Sequence, residues 1–406
     1  MTKGIGGSTA EAELAQIASR RDAVTPITTE ERVARIERAQ ARMADIGTAA
    51  MWLDASTNLE YFTGVRHKLT ERMIGAIIPA RGDPVYLSPA FEAEKLRTML
   101  TIGDRIVGWE EDESPHALFV QTLHDMQISS GRLAIDDHAP FYTVHGLSQA
   151  AGSDYALVPA EDVAGWCRAR KSPAELALIT HAMQATLAIQ AAAARILRDG
   201  ITTTEVQEFV AAAHRKMGFD PGVGGGVALF GEATAYPHGV PYPQTLQEGD
   251  MVLIDCGGPM HGYVSDITRS YVFGDPTPRQ REIWELQRAS QDAAFDAIRP
   301  GVSCGAVDDA ARAVITAAGL GPGHAVPGVP HRVGHGVGMD VHEGPYFVRG
   351  NTLPMVAGMT GSIEPTICLY GEFGVRVEDH FYVTDGGAAW HTKPSISIDD
   401  PFAGVA

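Results

Sequence analysis

No uncharged apolar run of about 20 residues, the length needed to span a bilayer, stands out in this chain. Its opening Met1-Thr-Lys-Gly-Ile-Gly-Gly-Ser also has no apolar stretch of the kind a secretion signal carries. The expected location is therefore the cytoplasm. Cysteine is scarce: Cys167, Cys256, Cys304 and Cys368 form no CxxC pair, and a reducing compartment gives them no disulfide framework. Basic residues are outnumbered, 32 against 50 acids for a net charge of −18, which argues against nucleic acid or an anionic membrane as a partner. What is present suffices for a substantial core, since 406 residues at 45% apolar content imply two domains.

The most informative content is an internal repeat. Arg198-Asp-Gly-Ile-Thr-Thr-Thr-Glu-Val, closed by Gly218, recurs as Arg299-Pro-Gly-Val-Ser-Cys-Gly-Ala-Val, closed by Gly319, at a constant offset of 101. Each copy reads as a helix end, a glycine turn and a second amphipathic helix. Further on, Gly249-Asp-Met-Val-Leu-Ile-Asp255 is echoed by Gly358-Met-Thr-Gly-Ser-Ile-Glu364, which equates Asp255 with Glu364. Each of these acids ends a short apolar run, and after a turn a second acid follows, Asp266 in one copy and Glu378 in the other. The pattern predicts two β-hairpins. Neither helix-and-hairpin unit can bury its apolar face alone, so packing about a pseudo-twofold axis is expected, with four carboxylates gathered near it.

Four such carboxylates without counter-ions would repel, and some would take up protons. Two divalent cations would neutralise them. Oxygen-rich ligation suits Mn, Mg or Ca, and an imidazole moves the preference towards Mn, Fe, Co or Zn. Carboxylates can bridge two ions about 3.5–4 Å apart, which then share a hydroxide usable as a nucleophile near neutral pH. The imidazole is expected from His331-Arg-Val-Gly-His335-Gly-Val-Gly-Met-Asp-Val-His342, a glycine-rich stretch whose three histidines packing alone does not explain. His238 matches His342 under the repeat. The competing explanation is a repeat kept for packing after its metal was lost. Cys256, next to Asp255, is expected to face the core by strand alternation.

These motifs identify a family resemblance over about residues 30–390. Asp255 with Ser265-Asp266-Ile-Thr-Arg, Gly334-His335-Gly-Val-Gly-Met, Ile363-Glu364-Pro and Arg376-Val-Glu378 resemble the M24 metallopeptidases of the pita-bread fold, in their prolidase and aminopeptidase P branch. The resemblance implies an α/β (α+β) chain: a smaller creatinase-like N-terminal domain, then a pita-bread catalytic domain with an internal pseudo-twofold. It implies a Mn-type dinuclear site, with Zn, Co or Fe as alternatives, held by Asp255, Asp266, His335, Glu364 and Glu378. It assigns catalytic roles to His238 and His342, proton shuttling to the bridging Glu364, orientation of the acids to Arg376, and substrate contact to His331. The implied reaction is hydrolysis of Xaa-Pro dipeptides by a metal-bridging hydroxide. The alternatives are aminopeptidase P action on longer peptides, a creatinase-like hydrolase or lyase of the same fold, and a silent binding module. A homodimer and short proline-containing peptide substrates follow from the same resemblance. One departure is clear: where the family often has an active-site tyrosine, position 224 is Gly, as in a subset of bacterial Xaa-Pro dipeptidases.

The expected boundaries are an exposed N-terminal arm over 1–28, the first domain over 29–167 and the catalytic domain over 168–406. Within the first domain, a helix from Thr29 to about Met43 and strands at Ala49–Leu53 and Met73–Ala80 are expected, and the catalytic domain should open on a long helix from Ala174. Arg349, between His342 and Glu364, is a candidate for the substrate's free carboxylate.

Overall fold

The structure, a computed structural model, describes residues 2–405 and falls into two compact units: Ile27–Arg168, and the residues on either side of it. The first unit opens on the helix Thr29–Ile46. Thr28 accepts a hydrogen bond from the Glu31 N–H at its start, and Gly47, at φ 69°, closes it. A six-stranded sheet follows, built from β1 (Thr48–Asp54), β2 (Gly75–Pro79), β3 (Val85–Pro89), β4 (Ile106–Trp109), β5 (Gly131–Ile135) and β6 (Tyr155–Pro159), in the order β4-β3-β2-β1-β5-β6. β2 and β3 are buried at every position and β1 at all but one, so the centre of the sheet is covered on both faces and these strands read as near-continuous apolar runs. Trp52, Ile77, Leu87, Phe119, Leu133 and Leu147 form the core on one side. This is the small α/β domain expected from the sequence.

The second unit contains the long helix Pro173–Arg195, opened by a capping box between Ser172 and Glu175 with proline in the first turn. By length and composition it could cross a membrane, which corrects the reading that no such run exists. It is mostly buried, however, and packs along the central hairpin of this unit as a core helix.

The sequence repeat is a repeat of structure. Helix Pro173–Arg195, a turn at Gly200 and helix Thr203–Met217 closed by Gly218 are matched by helix Pro278–Asp296, a turn at Gly301, helix Cys304–Ala317 and then Gly319. The backbone bonds are duplicated too. The Gly200 N–H donates to Leu246 O at 2.9 Å and Gly301 to Met355 O at 2.8 Å; Thr203 donates to Gln244 O at 3.0 Å and Cys304 to Leu353 O at 2.9 Å.

The two hairpins are not alike. In the first copy β7 (Val227–Phe230), β8 (Met251–Met260) and β9 (Tyr263–Val272) form an antiparallel sheet, and the β8–β9 register runs unbroken from Met251↔Val272 to Met260↔Tyr263. Its two-residue turn, His261-Gly262, has both φ angles positive, as a tight hairpin of this hand requires. The second copy comprises β10 (Gly334–Gly336), β11 (Glu343–Phe347), β12 (Thr360–Ile363), β13 (Ile367–Leu369), β14 (Phe373–Val375), β15 (Asp379–Thr384) and β16 (Gly387–Trp390). Here β12 pairs with β15 and β13 with β14, so the expected single hairpin is interrupted halfway. Pro365, at the break, has no N–H to offer a ladder. The freed backbone bonds elsewhere: the Glu364 N–H donates to Val333 O at 2.8 Å, and the Glu378 N–H to Thr268 O of the first hairpin at 3.0 Å.

The N-terminal arm is mostly exposed and carries a short helix, Ala10–Gln16, but it is anchored. Residues 2–26 pack on the second unit through their polar groups. Glu13 is buried and pairs with Arg195 at 2.7 Å, Arg21 pairs with Asp220 at 2.7 Å, and Thr2 donates to Gly274 O.

Candidate active site

Two buried glutamines related by the repeat lock the strands that carry the acids. Gln190 donates to the carbonyls of Ile254 and Ile267, at 2.9 and 2.8 Å, which adjoin Asp255 and Asp266 in sequence. Gln291 donates to the carbonyl of Ile363, beside Glu364, at 3.1 Å. Neither residue was singled out from the sequence, because an isolated glutamine in a helix carries no motif.

The strands so held deliver their acids to one cavity of about 880 Å³, lined by His238, Asp255, Asp266, His331, Arg332, His335, His342, Glu364, Arg376 and Glu378, with Val227, Val264, Val341 and Val348 as apolar walls. His335 lies at the centre of the donor set. Its Nε2 is 3.1 Å from Glu364 Oε1, 3.8 Å from Asp266 Oδ2 and 4.0 Å from Glu378 Oε1. Its Nδ1 lies 3.0 Å from Gly336 O, which accepts its proton and turns Nε2 toward the acids. Asp255 joins the cluster through Arg376, whose Nη2 is 2.7 Å from Asp255 Oδ2.

Arg376 is fully committed: Nε donates to Thr268 Oγ1 at 3.1 Å and Nη1 to Pro237 O at 3.0 Å. The Thr268 hydroxyl in turn donates to Glu378 Oε2 at 2.6 Å. On the other Glu378 oxygen, at 3.2 Å, sits His380 Nε2. His380 also escaped the sequence reading, although its position two residues beyond Glu378 along the chain was the available signal.

The electrostatics show that protein groups alone do not balance this cluster. Burial, then the charges of Glu378, Asp255 and Glu364, push Asp266 well above the usual carboxylate range. Burial and the neighbouring Glu364 push Glu378 up to about 7. Burial raises Asp255 too, against the pull of Arg376. Glu364 goes the other way, because the hydrogen bond and charge of His335, with Arg376, outweigh burial. The four carboxylates are in contact with the guanidinium of Arg376 and the imidazole of His335, an excess of negative charge that two divalent ions would offset. The donor chemistry, four oxygen ligands and one imidazole nitrogen oriented by its own second hydrogen bond, fits such ions. Groups of these residues with ligand atoms within 4.8 Å of one another include His335, Glu364 and Glu378.

Of the other expected residues, His342 lies edge-on to His335 with ring centroids 4.1 Å apart, and burial and the nearby His335 lower its pKa. His238 faces the same cavity. His331 lines it with both ring nitrogens engaged, Nδ1 at 2.7 Å from Arg332 O and Nε2 at 2.8 Å from Thr366 Oγ1. Arg349 is not among the lining residues: it is exposed and its Nε pairs with Asp309 at 2.8 Å, so the expected carboxylate contact has no geometry to support it. Cys256 is buried but also belongs to the cavity lining, beside Asp255, so it does not face the core alone.

Comparison with known proteins agrees with this geometry. Residues 177–385 match the profile of Metallopeptidase family M24, and residues 35–170 that of the Creatinase/Prolidase N-terminal domain. The chain is 34% identical over 362 residues to "Probable dipeptidase PepE" of Mycobacterium tuberculosis, covering 87% of this chain and 92% of that protein. Among solved structures it is similar to dipeptidase PepE from Mycobacterium ulcerans, with a TM-score of 0.83, 33% identity and coverage of 91% of this chain and 97% of that one. It is also similar to a prolidase from Thermococcus sibiricus, with a TM-score of 0.79, 27% identity and coverage of 89% and 97%. A creatinase-like N-terminal domain followed by a catalytic domain with this donor set makes the chain an enzyme, a dipeptidase- and prolidase-like member of metallopeptidase family M24.

Proposed function

We propose that the enzyme hydrolyses Xaa-Pro dipeptides at a site that holds two divalent metal ions, manganese first among the candidates. The observation that carries this reading is the convergence of Asp266, Glu364 and Glu378 on Nε2 of His335, with Asp255 held by Arg376 beside them. When bound, the ions supply a water made nucleophilic near neutral pH and a hold on the substrate carbonyl.

The chain's own residues do the rest. Glu364 is kept ionised by His335 and Arg376, so it is an acceptor for the water's proton at neutral pH. The departing proline nitrogen needs a proton, and Glu364 is the group placed to return it. His342, kept neutral, offers one N–H to the carbonyl oxygen or the leaving nitrogen, and His238 stands in the same cavity for the partner role. The valine walls suit a pyrrolidine ring, whose nitrogen carries no donor to leave unpaired. A cytoplasmic homodimer is the proposed form, on the family resemblance and the acid-rich composition.

The test is hydrolysis of Ala-Pro, Ala-Pro-Ala and Ala-Ala by protein stripped with chelator and reloaded with Mn²⁺. Cleavage of Ala-Pro alone, restored by metal, supports the proposal. Cleavage of the tripeptide reassigns the enzyme to aminopeptidase P chemistry. Bound metal without turnover of any of the three ends the Xaa-Pro reading.

A further inference from the structure

A dipeptide brings its own negative charge into the cavity, one residue beyond the bond to be cut, and the cavity is already lined by four carboxylates. Even with ions bound, a free carboxylate needs a cationic partner there, and the cavity offers two arginines. Arg376 is spent, with bonds to Asp255, Thr268 and Pro237. Arg332 is not: among the described residues its guanidinium makes no ion pair or hydrogen bond.

The geometry points to Arg332 as the receptor for the C-terminal carboxylate of the substrate, an inference that rests on the dipeptidase reading above. Arg332 lies three residues before the central ligand His335, lines the same cavity, and is half-buried. Its guanidinium lies over the ring of Tyr346 at 4.4 Å, and Tyr346 is held opposite His335 in the β10–β11 register. Stacking on an aromatic face fixes the guanidinium plane and leaves its N–H edges free, the arrangement that suits bidentate contact with a carboxylate. A substrate extended beyond proline has an amide at this place, which makes poorer use of the cation, so Arg332 selects for chain length.

The experiment compares kcat/KM for Ala-Pro and Ala-Pro-amide in the wild type, Arg332→Met and Arg332→Lys, with thermal unfolding confirming that each variant is folded. A charge-assisted pair is worth about a ten- to hundredfold preference for Ala-Pro in the wild type. The expected result is that Arg332→Met brings this ratio to near one, through KM and not kcat, and that Arg332→Lys keeps part of it. An unchanged ratio in folded Arg332→Met, or no preference in the wild type, overturns the assignment while leaving the peptidase reading in place. Failure of the wild type to cleave either compound overturns both.

Discussion

Arg376 shows how one side chain can organise several others. Its three donor groups reach Asp255, Thr268 and Pro237, and through Thr268 it steadies Glu378. A lysine would keep the charge and lose the fork. Arg376→Lys is expected to lower metal affinity and Ala-Pro turnover by about 10- to 100-fold, measured by chelator competition and steady-state kinetics. Away from the site, His214 is wholly buried, and burial lowers its pKa from 6.5 to about 4. The folded protein therefore keeps it neutral over a range in which the unfolded chain takes up a proton, so stability is lost as pH falls from about 6.5 through 4. Between pH 6.5 and 5 this one residue contributes a loss of about 2 kcal/mol. Denaturant unfolding at the two pH values should show that loss, and a folded His214→Gln variant should show a smaller one. The four acids of the cluster were legible in the sequence because the repeat equated Asp255 with Glu364 and set a second acid after each, and His335 stood out in its glycine-rich stretch. His380 and Thr268 were not, because their importance lies in which oxygen of Glu378 they touch.

The hairpins and the helices behind them depend on contacts that sequence periodicity does not register. Leucine at Gln190 or Gln291 removes buried hydrogen bonds to strand carbonyls, so Gln190→Leu should cost about 1–3 kcal/mol in thermal unfolding, and Gln291→Leu a similar amount. Gly257 is a sharper case. A Cβ there would sit 1.8 Å from Ser265 O in the facing strand, and Gly257→Ala should open the β8–β9 register next to Asp255 and Asp266. Loss of metal binding in a protein that still unfolds cooperatively would be the expected result. The paired helices of the repeat were readable from their closing glycines, Gly218 and Gly319, and the first hairpin from the two acids set around a turn. The interruption of the second was not. Pro365 marks a break, but the pairing of β12 with β15 and the bond from Glu378 to Thr268 join residues far apart in the chain.

Across the full chain, two domains followed from its length and apolar content, yet the packing of residues 2–26 onto the second unit did not, because its anchors, Arg195 and Asp220, lie some 180 to 200 positions away. Removing residues 2–23 breaks the Glu13–Arg195 and Arg21–Asp220 pairs, and the truncated enzyme should melt several degrees lower, by calorimetry, than the full chain. The pseudo-twofold has a further consequence. Asp255 and Asp266 come from one half, and His335, Glu364 and Glu378 from the other, so neither half owns a complete set of donors. A polypeptide severed in the connector between Val272 and Pro278 would make two fragments that chelate poorly apart and well together. The ions we propose would then act as rivets, and their free concentration would set how firmly the halves are joined. Scarcity of metal in the surroundings would register in the enzyme's lifetime before it registered in its turnover.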